Sequence, residues 1–187
     1  VKKITPRFRL QRQLRWSLCL TLAGMLVSCS YNDLPTGPTS LNSRSTEQQP
    51  ALSGNGRLLA LVSNRNGSHQ VLLYDLQQQQ FVSTPGLNRP ETIVESPSLS
   101  YTGRYITYMT SDQGRPVVAL YDRVTQQSQI LTPIYRGWVR NPSISPDGRY
   151  VVFESASRGQ WDIEVLDRGP DIELDIDNGA TVTGIGE

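Results

Sequence analysis

One short phrase is written three times along this chain, and that repeat constrains the fold more than any other feature. The copies are Pro50-Ala51-Leu52-Ser53-Gly54-Asn55-Gly56-Arg57, Pro97-Ser98-Leu99-Ser100-Tyr101-Thr102-Gly103-Arg104 and Pro142-Ser143-Ile144-Ser145-Pro146-Asp147-Gly148-Arg149. Their glycines Gly56, Gly103 and Gly148 fall 47 and 45 positions apart. Self-similarity at roughly 40–50 residues, built from short apolar runs, is the mark of propeller blades.

Each Gly-Arg is followed by an apolar run: Leu58–Val62, Tyr105–Met109 and Tyr150–Phe153. A polar turn and a second run follow, Val71–Asp75, Val117–Asp122 and Ile163–Asp167. Phe81–Pro85 and Gln129–Pro133 then close the first two copies. Runs this short, rich in Val, Ile and Tyr and bounded by glycine, read as strands rather than helices. The expectation is all-β: three four-stranded blades forming a partial propeller. The run after each Gly-Arg is apolar almost throughout, which suits a strand covered on both faces by neighbouring blades. The run Gln77–Gln80 reads as a hairpin turn inside the first blade.

The shared phrase is itself a turn. In Ser145-Pro146-Asp147-Gly148, Pro146 presets one turn position and Asp147 can accept bonds from nearby amides. Gly148 can take the positive φ that a tight reversal needs. Gly56, Gly103, Asp147 and Gly148 are therefore read as a backbone requirement, not a ligand site.

On these residues the chain resembles the TolB-type β-propeller repeat. The resemblance rests on Pro-x-Ile-Ser-Pro-Asp-Gly-Arg-Tyr-Val-Val-Phe, then Ser155–Gly159 and Asp162–Asp167, with weaker copies upstream, and it covers about residues 50–168. That repeat occurs in periplasmic TolB proteins and in the propellers of prolyl-oligopeptidase-like peptidases. The resemblance implies blades and a periplasmic role as a binding platform. TolB itself is expected to carry six blades, twice the three repeats read here.

The amino terminus points to the same compartment. Lys2, Lys3, Arg7, Arg9, Arg12 and Arg15 form a basic segment with no acid, and the 11-residue stretch Ser17–Val27 is mostly apolar. A permanent span needs about 20 residues, so the pattern reads as a signal peptide. It ends in Leu26-Val27-Ser28-Cys29, which resembles the bacterial lipobox and implies acylation of Cys29 by fatty acids such as palmitate. Ser30 in place of Asp favours, by resemblance to lipoprotein sorting, the outer membrane of a Gram-negative cell. The expected organisation is signal peptide 1–28, lipidated Cys29 and disordered tether 29–49, repeats 50–178 (50–95, 96–141, 142–178), and disordered tail 179–187.

Processing would change the charge. The chain has 18 Lys+Arg and 17 Asp+Glu; six of the bases and none of the acids precede Cys29, leaving 12 Arg against 17 acids, a net charge of −5. An acidic surface argues against a nucleic-acid partner, because binding phosphates takes a basic stripe. The two cysteines are Cys19 in the leader and Cys29 at the lipobox, so the repeats offer no disulfide framework.

No catalytic pattern stands out. The lone histidine, His69, lies in a turn, and the chain has neither a Gly-x-Ser-x-Gly elbow nor His-Glu-x-x-His. The expectation is a non-enzyme without a cofactor. Asp162, Glu164 and Asp167 read as strand side chains rather than an acid pair. Asp171–Asp177 alternates acid with aliphatic and reads as an edge strand completing the third blade. A second reading of its end is a Ca²⁺ site from Asp175, Asp177 and Asn178, although the spacing departs from the twelve-residue loop.

These readings converge on a lipid-anchored envelope module that binds an unidentified protein partner, in envelope integrity or Tol-type transport. The alternatives are an accessory domain to a periplasmic hydrolase, or a truncated TolB-like paralogue with no independent function. Three blades fall short of a ring, which typically has about 4–8. Closure by a homodimer is the expectation, with an open half-ring as the alternative. If Cys29 is acylated, Cys29→Ser abolishes labelling by a fatty-acid analogue and releases the chain from sedimented membranes; label retained on the variant contradicts the lipobox.

Overall fold

The repeated turn works as a small hydrogen-bonded ring from which each blade grows. In the computed structural model, which describes residues 40–89 and 92–176, the Ser53 hydroxyl sits 2.8 Å from Asn55 Oδ1 and accepts the Leu58 N–H. The Arg57 N–H donates to the same Asn55 oxygen. The third turn repeats this with Ser145, Asp147, Arg149 and Tyr150. Gly56, Gly103 and Gly148 have φ of 70°, 73° and 80°, a region that costs an L side chain about 1–2 kcal/mol.

Among the described residues, eleven strands are arranged around the three turns. The first blade is β1 (Glu47–Leu52), β2 (Leu58–Ser63), β3 (Gln70–Asp75) and β4 (Gln80–Val82). The second is β5 (Glu95–Leu99), β6 (Tyr105–Asp112), β7 (Arg115–Asp122) and β8 (Gln127–Ile130). The third is β9 (Val139–Ile144), β10 (Tyr150–Ser155) and β11 (Asp162–Asp167). Each blade is an antiparallel meander with neighbouring strands paired in chain order. All described residues belong to one compact unit.

Two apolar layers hold the blades together. Leu58, Ala60, Val62, Val71 and Leu73 of the first blade bury against Leu99, Ile106, Tyr108, Ala119 and Tyr121 of the second. Tyr105, Met109, Val118 and Leu120, on the other face of the second blade, bury against Val139, Ile144, Val151 and Phe153 of the third. Alternate residues of β6 thus serve two cores, which is why the strand is apolar along its length. At about 1.5–3 kcal/mol for each large side chain buried, these layers dominate the stability.

The third blade departs from expectation. Among the described residues it has three strands, and Asp171–Ile176 forms none; the segment turns back across the second blade. Its alternation is real, but tertiary bonds made by Asp175 and by the Glu173 carbonyl take precedence over an edge pairing. The ordered chain also begins earlier than the tether boundary at 49 implies. Glu47–Gln49 belong to β1, and Arg65 donates to the Ser40 and Leu41 carbonyls. The remaining tether, the leader with Leu26, Val27, Ser28 and Cys29, and residues 177–187 lie outside the described residues.

The turn glycines also set how closely blades approach. A Cβ on Gly103 would lie 2.8 Å from Leu58 Cδ1, and one on Gly148 would collide with the Tyr105 ring. Around Gly56 nothing lies within 4 Å. Gly56→Ala should therefore cost only the backbone term, about 1 kcal/mol. Gly148→Ala adds overpacking and should cost about 2–4 kcal/mol. Denaturant unfolding compares the two, and equal losses would show that the glycine does not set the spacing.

Candidate functional site

The first strand of each blade carries a proline that cannot donate to the ladder: Pro50, Pro97 and Pro142. At each, the pairing with the second strand slips, between Gln48 and Ala51, between Glu95 and Ser98, and between Arg140 and Ser143. The residue before the proline takes up the distortion. Gln49, Ser96 and Asn141 sit at φ of 52°, 50° and 51°, where non-glycine residues are uncommon and strain is stored.

These bulges gather in one place, because β1 packs on β5 and β5 on β9. Gln49, Ser96 and Asn141 all line a groove of about 580 Å³, with Ile93, Glu95, Trp138, Arg140 and Trp161 around them. The Gln49 side chain accepts the Ser96 N–H at 2.7 Å and so ties two bulges together. Trp138, Trp161 and Ile93 are exposed. The Arg140 guanidinium stacks 3.9 Å from the Trp161 ring centroid and donates to Glu154 Oε2 at 2.6 Å. Asn141 donates to the other Glu154 oxygen. Those two side-chain bonds, Asn141 first and Arg140 second, hold the Glu154 carboxyl below its ordinary range. Exposed indole surface beside a fixed guanidinium is the composition that recognises protein surfaces.

A second set of polar side chains frames the blades. Arg57 pairs with Asp75, Arg104 with Asp122 and Arg149 with Asp167, each 18 residues apart. Asp75 is held low by the Gln78 N–H and Arg57 bonds, and Asp167 by Arg149 and the Gly169 N–H. Arg104 also meets Glu173 at 2.8 Å and is pushed up chiefly by that bond. The constant 18-residue interval was available in the sequence as a signal of this clasp.

Asp175 belongs to the candidate Ca²⁺ set, but its oxygens serve the fold. In the second turn Thr102 replaces the Asn or Asp of the other two, leaving that ring without its acceptor. The Asp175 carboxylate fills the role, accepting the Ser100 hydroxyl at 2.6 Å, the Thr102 N–H at 2.8 Å and the Thr102 hydroxyl at 2.6 Å. Asp177 and Asn178 fall outside the described residues. Among the described residues no cluster of three His, Cys, Asp or Glu could hold a metal ion. His69 is exposed in its turn. Asp162 and Glu164 both meet Arg158.

No protein-family model matches the chain, and no curated protein does. Solved structures do. TolB from Acinetobacter baumannii superposes with a TM-score of 0.56 at 27% identity, covering 69% of this chain and 31% of that one. A putative TolB from Agrobacterium tumefaciens gives 0.54 at 21% identity, covering 74% and 49%. A puromycin-hydrolyzing peptidase from Mycobacterium tuberculosis gives 0.52 at 15% identity, covering 67% and 20%. The chain has a TolB-like β-propeller fold, in three blades that do not close into a ring among the described residues. It spans less than half the length of each of these proteins.

Asp175→Ala removes an acceptor shared by three donors and leaves the buried Ser100 hydroxyl with only its longer 3.3 Å bond to the Tyr105 carbonyl as a donor. The expected loss is about 2–4 kcal/mol in denaturant unfolding. Thr102→Asp in the same background should recover part of it, because the turn regains an acceptor of its own.

Proposed function

We propose that this chain is a binding module of the bacterial cell envelope that recognises a protein partner through the groove on its bulged first strands. The observation that carries the reading is the convergence of three equivalent strained bulges on one groove bearing two exposed tryptophans and Arg140. Strain repeated at three equivalent positions is retained where a surface needs a particular backbone shape. The likeness to TolB supports a propeller used for interaction. In this reading Cys29 carries the acyl anchor, the outer membrane holds the chain on its periplasmic face, and residues after Cys29 tether the blades to it.

A photo-crosslinking residue at Trp138 should trap one discrete protein in living cells, while the same residue at Val124, an exposed turn position away from the groove, traps none. Arg140→Glu should reduce the Trp138 product at least fivefold without changing the melting temperature by more than a few degrees. Equal products from both positions would remove the groove from the reading.

A further inference from the structure

Two charged side chains line the groove, Glu95 and Arg140. They hold equivalent places in the repeat, each two residues before the proline of its first strand. Their cross-strand partners differ. Arg140 stands opposite Glu154, and the two form an ion pair at 2.6 Å. Glu95 stands opposite Met109, whose thioether has no proton to donate to a carboxylate. Gln48, the counterpart in the first blade, stands opposite Val62 and carries no charge. No Lys, Arg or His among the described residues comes within ion-pair reach of Glu95. Arg140 is neutralised in place, and the half-buried Glu95 is left as the groove's uncompensated charge.

The third blade shows what such a carboxylate accepts. The Arg140 guanidinium stacks on Trp161 and bonds Glu154, so indole, cation and carboxylate form a closed set. The same groove holds a second indole and a second carboxylate, Trp138 and Glu95. Trp138 is 68% exposed against 46% for Trp161. No cation of the described residues covers its ring. The loop that presents it is fixed from behind. A Cβ on Gly137 would lie 2.5 Å from Ser157 N, and the Ala156 N–H donates to the Trp138 carbonyl at 2.8 Å. Trp138 immediately precedes β9 and Glu95 begins β5, two strands that pack side by side. Exposed Ile93 adds apolar wall.

We infer that the groove receives a basic side chain, arginine or lysine, from its protein partner. The cationic end pairs with the Glu95 carboxylate and covers the Trp138 indole, as Arg140 covers Trp161. Its methylene stem lies along Ile93. The quadrupole of an indole face attracts a cation, and long basic side chains lay their stems on apolar surface. The 12 Arg and 17 acids that follow Cys29 give a field of the sign that draws a basic segment in. This inference rests on the groove reading above and adds the chemistry of the partner. A partner held by the indoles alone would leave that reading intact and remove this one.

The test uses the full chain in detergent micelles and two short probes, acetyl-Ala-Arg-Ala amide and its citrulline counterpart. Citrulline keeps the shape of the side chain and removes its charge. Binding is followed by the indole N–H resonance of Trp138, identified by its loss in Trp138→Phe. The arginine probe should shift that resonance saturably and bind about fivefold more tightly than the citrulline probe. Glu95→Gln should bring the two probes level, and Glu95→Asp should keep most of the difference. The Glu95 carboxylate makes no hydrogen bond among the described residues, so both variants should melt within a few degrees of wild type. In living cells, a photo-crosslinking residue at Ser111 in the groove wall reports the partner itself, and Glu95→Gln should lower its product about fivefold. Equal binding of the two probes, binding of neither, or a Ser111 product indifferent to Glu95→Gln overturns the inference. In the last case the groove still holds a protein. A charge-selective probe response with no product from any groove position instead removes the protein partner and leaves the cation site.

Discussion

Blades can stack only as closely as their turns allow, and two glycines set that distance. Gly103 lies against Leu58 and Gly148 against the Tyr105 ring, in backbone conformations that other residues reach at a cost. Both buried layers form behind these contacts, so a side chain at either glycine would separate whole sheets. The Arg–Asp clasps, the Ser–Asx rings and the Asp175 bridge all serve the same end: they hold each turn in the shape that lets its glycine face the neighbouring blade.

Much of this architecture is legible in the sequence because a repeat writes each requirement three times. The turn glycines, the doubly buried β2 and β6, and the Gln77–Gln80 hairpin can all be read from spacing and composition. The Arg–Asp clasp is equally regular and is found once the 18-residue interval is noticed. What resists reading is whatever occurs once. Asp171–Ile176 alternates as an edge strand would, yet the missing acceptor in the second turn draws Asp175 away from any strand. Local pattern cannot reveal a vacancy some seventy residues upstream.

The groove lies between these extremes. Its three prolines stand in register in every copy, and Pro in a first strand signals an interrupted ladder. That the preceding Gln49, Ser96 and Asn141 would turn left-handed and converge follows only from packing the first strands side by side. Trp138 and Trp161 have no counterparts in the other units, so periodicity gives them no prominence. Repetition builds the platform, and the departures from repetition give it an identity.

The Asp175 bridge has a consequence for how the chain comes to be folded. The residue that completes the turn of the second blade lies 75 positions after Ser100, beyond the whole of the third blade. A chain emerging amino end first can pair β5 to β8 early, but it cannot satisfy that turn until the segment past the third blade has arrived. Blade two therefore waits on the end of blade three. Folding of the last two units becomes a single late event, and a chain cut just short of Asp175 would carry its defect in the blade that had been made first.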